Sequence, residues 1–234
     1  MKIINRTING NFIKRLNRFE GLVSIEGQEQ LVHIPNTGRC RELLYEGAEV
    51  LLEIRESKTR KTPYELIMVY KGDRLISIDS QAPNRIVEEA VKSGLTKEIG
   101  NYEYVKREAF YHNSRFDLFL KKHEDSEKHQ CCFIEIKGVT LEFDGVAMFP
   151  DAPTERGARH VRELADALKE GYRAAIIFLV QMDNIKYFTP NKAMDHEFVQ
   201  ALSEAARSGV EIYAYSCKVE EHEVILQDNI PVVL

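Results

Sequence analysis

The chain has 234 residues, 44% of them hydrophobic and 29% charged, with a net charge of −5, which suits one large or two small globular domains with real cores. The longest apolar run, Ala174 to Val180, is far too short to span a bilayer, and the first residues carry no signal-type apolar stretch, so a cytoplasmic protein without a membrane partner is expected. Four cysteines, Cys40, Cys131, Cys132 and Cys217, lack the C-x-x-C spacing of a zinc site or redox pair, so buried free thiols are expected.

Residues 10 to 80 read as short strands separated by turn signals: Phe12 to Ile25, Gln30 to Ile34, Glu49 to Glu56, Tyr64 to Tyr70 and Arg74 to Ile78. Apolar residues alternate in Val50, Leu52 and Ile54 and again in Ile76 and Ile78, as half-buried strands require. Arg39 to Glu46 reads as a short helix among them. Five strands with one interposed helix fit a small barrel of the oligonucleotide-binding (OB) type. Residues 1 to 80 carry a net charge of +2 and the remainder −7, so the barrel is the better place for a polyanion. Its candidate contacts are Arg15 and Arg18 beside Phe19, Asn36 and Arg39 in the turn Pro35 to Arg39, and the basic run Lys58, Arg60 and Lys61. The Asn36-Thr37-Gly38 turn has a structural explanation too, because Asn and Gly tolerate left-handed backbone.

A domain boundary is expected near Gln81-Ala82-Pro83, giving domains of residues 1–81 and 82–234. After Pro83, residues Ile86, Val87, Ala90 and Val91 recur at helical spacing and Gly94 marks the helix end. Tyr102 to Phe110 and Arg115 to Leu120 then read as a hairpin turning at His112-Asn113-Ser114, with Asp117 on its second strand. Lys121 to Gln130 is polar and reads as an exposed loop.

The strand Cys132 to Val139 carries the pattern on which the functional reading turns. Side chains alternate along a strand, so Glu135 and Lys137 share one face while Ile134 and Ile136 enter the opposite, apolar layer. With Asp117 from the neighbouring strand, two carboxylates hold a hard divalent cation and the lysine reaches what the cation activates.

Thr154 is a natural N-cap for the next helix, Val161, Leu164, Ala165 and Leu168 form its buried stripe, and Gly157 lets it approach the sheet closely. Arg156 and His160 lie one turn apart on its flank, where they are placed to face a phosphate. A strand buried on both faces, Arg173 to Gln181, a helix from Met194 to Ser208 and a strand from Val210 to Cys217 complete a mixed sheet flanked by helices, with Val224 to Leu226 as an added edge.

The order helix, Asp-bearing hairpin, Glu-x-Lys strand, helix, strand resembles the restriction-endonuclease-like, PD-(D/E)XK core. The stretches His33-Ile-Pro-Asn-Thr-Gly-Arg-Cys40, Asn84-Arg85, Ser114-Arg-Phe-Asp117, Ile134-Glu-Ile-Lys137, Phe149-Pro-Asp-Ala152 and Thr154-Glu-Arg-Gly157, followed by His160 and Glu163-Leu164, together resemble the sugar fermentation stimulation protein A family of bacteria and archaea. That resemblance spans essentially the whole chain. It implies an N-terminal OB-fold barrel, a C-terminal nuclease-like domain and non-specific DNA binding. It also implies a third metal-site carboxylate, Glu89, from the helix before the hairpin. Gly138 departs from the pattern, since a small hydroxyl residue is expected after the lysine.

The expected function is therefore Mg²⁺- (or Mn²⁺-) dependent cleavage of DNA. Asp117, Glu135 and Lys137 are its catalytic residues, and Arg156, His160 and the barrel hold the phosphate backbone. Two alternatives stay open on the sequence: a non-cleaving DNA-binding regulator of sugar (maltose) utilisation genes, and a charge-paired Glu135–Lys137 surface with no metal.

Overall fold

The computed structural model describes residues 1–55, 61–112 and 114–234. Six strands come first: β1 (Thr7–Arg15), β2 (Glu20–Ile25), β3 (Gln28–His33), β4 (Glu49–Ile54), β5 (Tyr64–Lys71) and β6 (Arg74–Ser77). They pair in the order β3-β2-β1-β4-β5-β6, and a further parallel pairing of His33 with Glu65 joins β3 to β5 and closes a barrel. Inward positions are apolar by alternation, so Phe12, Val23, Val32, Val50, Leu52 and Leu66 fill the interior.

Two expectations change here. The stretch Phe12 to Ile25 is two antiparallel strands, Phe12 opposite Val23, with a loop at residues 16–19 between them. Arg39 to Glu46 is not a helix but one hydrogen-bonded turn, in which the amides of Leu43 and Leu44 reach the Cys40 carbonyl. Left-handed backbone at Cys40 (φ 45°) and Gly47 (φ 86°) brackets the segment too tightly for more than that turn, and a helix this short gains too few bonds to offset its nucleation.

The second half contains α1 (Ala82–Lys92), β7 (Tyr104–Tyr111), β8 (Ser114–Lys121), β9 (Cys131–Val139), β10 (Leu141–Phe143), β11 (Val146–Phe149), α2 (Glu155–Lys169), β12 (Arg173–Val180), β13 (Tyr187–Pro190), α3 (His196–Ser208), β14 (Glu211–Glu220) and β15 (Glu223–Asn229). The main sheet runs β15-β14-β12-β9-β8-β7. Its central strands β9, β12 and β14 are parallel, and β7–β8–β9 and β14–β15 are antiparallel, which is the expected mixed sheet. Ile86, Val87 and Ala90 of α1 cover the face bearing Ile134 and Ile136, while Val161 and Leu164 of α2 and Phe198 of α3 cover the other.

Thr154 caps α2 as expected, accepting a bond from the Gly157 amide at 3.0 Å. Gly157 itself makes room for the Thr154 cap and for α3 rather than for the sheet, since a Cβ there would lie 2.8 Å from the Thr154 side chain and 3.2 Å from Phe198 Cδ2. A three-stranded sheet, β10-β11-β13, extends from the end of β9 toward the barrel. Its buried Glu142 receives Lys71 Nζ at 2.8 Å and Arg74 Nη1 at 3.4 Å, and the Ser77 amide bonds the Gln181 carbonyl, so barrel and sheet are tied at several points. The first residues run with the second half: Lys2 bridges Glu223, and the terminal amine donates to the Val224 carbonyl. All four cysteines are free and buried, and no helix among the described residues is long and apolar enough to cross a membrane.

Candidate active site

Backbone pairing of β8 with β9 runs from Lys121–Cys131 to Leu118–Ile134. One residue beyond, the Asp117 carboxylate replaces the ladder and accepts the Ile136 amide at 2.7 Å. Its other oxygen accepts from Asn84 Nδ2 in the first turn of α1, also at 2.7 Å. Asp117 is thus pinned to the strand that carries Glu135 and Lys137.

Glu135 is 3% exposed. Its Oε1 receives Lys137 Nζ at 2.6 Å and lies 2.7 Å from His160 Nδ1, while Oε2 is buried without a partner. Arg156 Nε points at His160 Nε2 from 3.4 Å. A guanidinium only donates, so Nε2 accepts, and the ring proton sits on Nδ1 facing Glu135. Glu135, His160 and Arg156 therefore form one directed chain from the buried strand to the surface.

The electrostatics separate the two carboxylates. Burial pushes Asp117 up to about 6, the neighbouring Glu135 charge adds to this, and the Ile136 amide, Lys137 and Asn84 oppose it. Burial also pushes Glu135 up, but the bonds from His160 and Lys137 outweigh it and hold that carboxyl below its usual value. A buried carboxylate oxygen with no donor, beside a second carboxyl that resists ionising, is a site short of positive charge. A hard divalent cation fits that donor set, and each Asp117 oxygen keeps a lone pair beyond the bond it already accepts.

The other predicted residues divide. Glu89 is exposed and pairs with the terminal amine at 3.0 Å, and it does not cluster with Asp117 and Glu135; Asn84 is the α1 side chain at Asp117. His160 is 2% exposed and turned toward Glu135, so it is not a phosphate contact, whereas Arg156 is exposed. Arg15 spends its guanidinium on the carbonyls of Asn17, Arg18, Asn36, Gly38 and Arg39, tying two loops together instead of facing a ligand. Asn36 is buried, donating to the Ile78 carbonyl and accepting the Gly38 amide. Arg18, Arg39 and Lys61 are exposed, and Lys58 and Arg60 lie outside the described residues. Gly138 has a packing reason, since a Cβ there would sit 2.8 Å from Pro83 Cγ of α1. The sequence signal that would have found Asn84 is its position in the first turn after Pro83, three residues past Gln81.

Comparison with known proteins assigns both halves. The model of the SfsA N-terminal OB domain matches residues 13–78, and that of the sugar fermentation stimulation protein RE domain matches residues 81–223. The chain belongs to the SfsA family. It is 55% identical over its whole length to the sugar fermentation stimulation protein homolog of Caldanaerobacter subterraneus subsp. tengcongensis, and 47% identical to that of Clostridium acetobutylicum, in each case covering all of the relative. The structure of Pyrococcus furiosus SfsA in complex with Ca²⁺ superposes with a TM-score of 0.89 at 30% identity, covering both chains completely. SfsA proteins thus share an OB barrel followed by a restriction-endonuclease-like sheet, and this chain has both.

Proposed function

We propose that this SfsA-family protein binds DNA through its phosphate backbone and hydrolyses phosphodiester bonds with a divalent cation, Mg²⁺ or Mn²⁺, at Asp117 and Glu135. The observation that carries the reading is the buried, partnerless Glu135 Oε2 next to Asp117. The Ca²⁺ complex of the Pyrococcus furiosus relative supports a hard cation on this fold.

The cation would supply Lewis acidity at a phosphoryl oxygen and lower the pKa of a water. The chain's own groups do the rest. Asp117 and Glu135 are held rigidly by Asn84, the Ile136 amide and His160, so little reorganisation is needed on loading. Lys137 has two N–H bonds to spare beyond the one to Glu135, and it is 16% exposed, so its ammonium would be available to charge developing on a phosphate oxygen held at this site. Arg156, anchored by one nitrogen on His160, offers its outer N–H groups to a neighbouring phosphate.

Supercoiled-plasmid nicking tests this directly. Asp117→Ala and Lys137→Ala are expected to abolish metal-dependent nicking and to leave DNA binding nearly unchanged. Nicking at the parent rate in both variants would refute the assignment. The name carried by the relatives supports a second reading, a regulator of sugar-utilisation genes that binds DNA without cutting it. That reading requires DNA binding by the parent protein and no nicking with either metal.

A further inference from the structure

Two open grooves flank the loop between β1 and β2. One, of about 640 Å³, is lined by Arg18, Phe19, His33 and Lys61; the other, of about 510 Å³, by Leu16, Arg39 and Arg41 with Arg18 again. Among the described residues lining them, Glu20 is the one carboxylate, and Asn17 Nδ2 and Lys61 Nζ hold it at 2.8 and 3.1 Å. On a chain of net charge −5, this is a local strip of cations.

The strip also carries an aromatic platform. Phe19 is 48% exposed, its ring lies nearly parallel to that of His33 (19°, centroids 6.4 Å apart), and the Arg18 guanidinium stands 5.8 Å from its centroid. One exposed phenylalanine is ordinary protein surface. This one is held in place. Asn17 Oδ1 accepts the amides of Phe19 and Glu20, the Phe19 carbonyl accepts the Ile34 amide, and Arg15 clamps the loop from beneath. A duplex backbone needs only the cations, because its bases are already covered by their neighbours. A rigid, exposed ring beside phosphate-binding cations suits a base that has no partner.

We propose that this face of the barrel binds an unpaired nucleic-acid strand, with Arg18, Arg39, Arg41 and Lys61 along its phosphates and one base stacked on Phe19. The inference rests on the nucleic-acid half of the reading above and on none of its chemistry.

Fluorescence anisotropy in EDTA, where cleavage plays no part, tests it with end-labelled twelve-residue strands of dT and of rU and with a duplex of the same length. At equal salt, at least one of the two single strands is expected to bind more tightly than the duplex; which one reports the sugar preferred. Phe19→Ala should weaken that strand about tenfold and leave the duplex unchanged, while Phe19→Trp restores binding. Arg39→Ser with Arg41→Ser should flatten the salt dependence for the strand. Unchanged strand affinity in Phe19→Ala, or an equal loss for strand and duplex, would overturn the proposal. The two readings fail separately: Phe19-dependent strand binding without plasmid nicking removes the cleavage reading alone, and nicking without Phe19 dependence removes this one alone.

Discussion

Asp117 shows most directly how a candidate metal ligand works against stability. Its carboxyl titrates near 6 in the fold against a reference value of 3.8, so between those values the native state binds more protons than the unfolded chain. Stability is then lost as pH rises through that window, and the penalty is complete above about pH 6. Asp117→Asn removes the charge and keeps an acceptor for the Ile136 amide, while its new NH2 requires the Asn84 side-chain amide to turn its oxygen inward. In EDTA near pH 8 it is expected to be about 2 kcal/mol more stable than the parent by urea unfolding, and the gap should close below about pH 4. Added Mg²⁺ should stabilise the parent and not the variant. Equal stability of the two proteins at about pH 8 would show that Asp117 carries no such charge penalty. Gly138 teaches the converse. The hydroxyl residue expected there has no space beside Pro83, so Gly138→Ser is expected to cost about 1–3 kcal/mol, read from the shift in urea midpoint.

At the scale of elements, phase along α1 decides which side chain joins the site. Asn84 and Glu89 are five residues apart, about 140° around the helix axis. When Asn84 faces Asp117, Glu89 turns away, toward the terminal amine. Counting acidic residues cannot reveal this; the helix's docking can. Titration calorimetry with Mn²⁺ should therefore show affinity lowered about tenfold by Asn84→Ala and unchanged by Glu89→Ala. A loss in Glu89→Ala would return that carboxylate to the site. Other elements were legible because their signals are local: Ile134 and Ile136 alternate with Glu135 and Lys137, Asp117 follows a hairpin turn, and Thr154 caps α2. Strands β10, β11 and β13 were not, because three or four residues are too few to show a period.

At the scale of the molecule, the two halves share their packing. One apolar cluster contains Val50 and Leu66 of the barrel with Val161 and Phe178 of the second half, and the other joins Leu51 and Met68 to α1 and the sheet. Glu142 adds a buried ionic tie to Lys71 and Arg74 across the joint. A single unfolding transition is expected, with hydrogen-exchange protection of the β1–β4 and β9–β12 ladders lost together in urea. Glu142→Gln should lower stability by about 1–3 kcal/mol without separating the two halves. Distinct midpoints for the two ladders in the parent protein would contradict this coupling.

The sequence by itself determined what each segment could be. Alternation and capping placed most strands and helices, the order of elements announced a barrel before a mixed sheet, and Asp117, Glu135 and Lys137 were named as a cluster. Tertiary structure alone decided what each polar or aromatic side chain is spent on. Arg15 and Asn36 face backbone groups, His160 faces Glu135, and Phe19 faces solvent. The physical reason is that strand and helix periods are set by neighbours in the chain. The bonds that fix these side chains, Ile136 to Asp117, His160 to Glu135 and Asn36 to Ile78, join residues 19, 25 and 42 positions apart, which only the packed fold brings within hydrogen-bond reach.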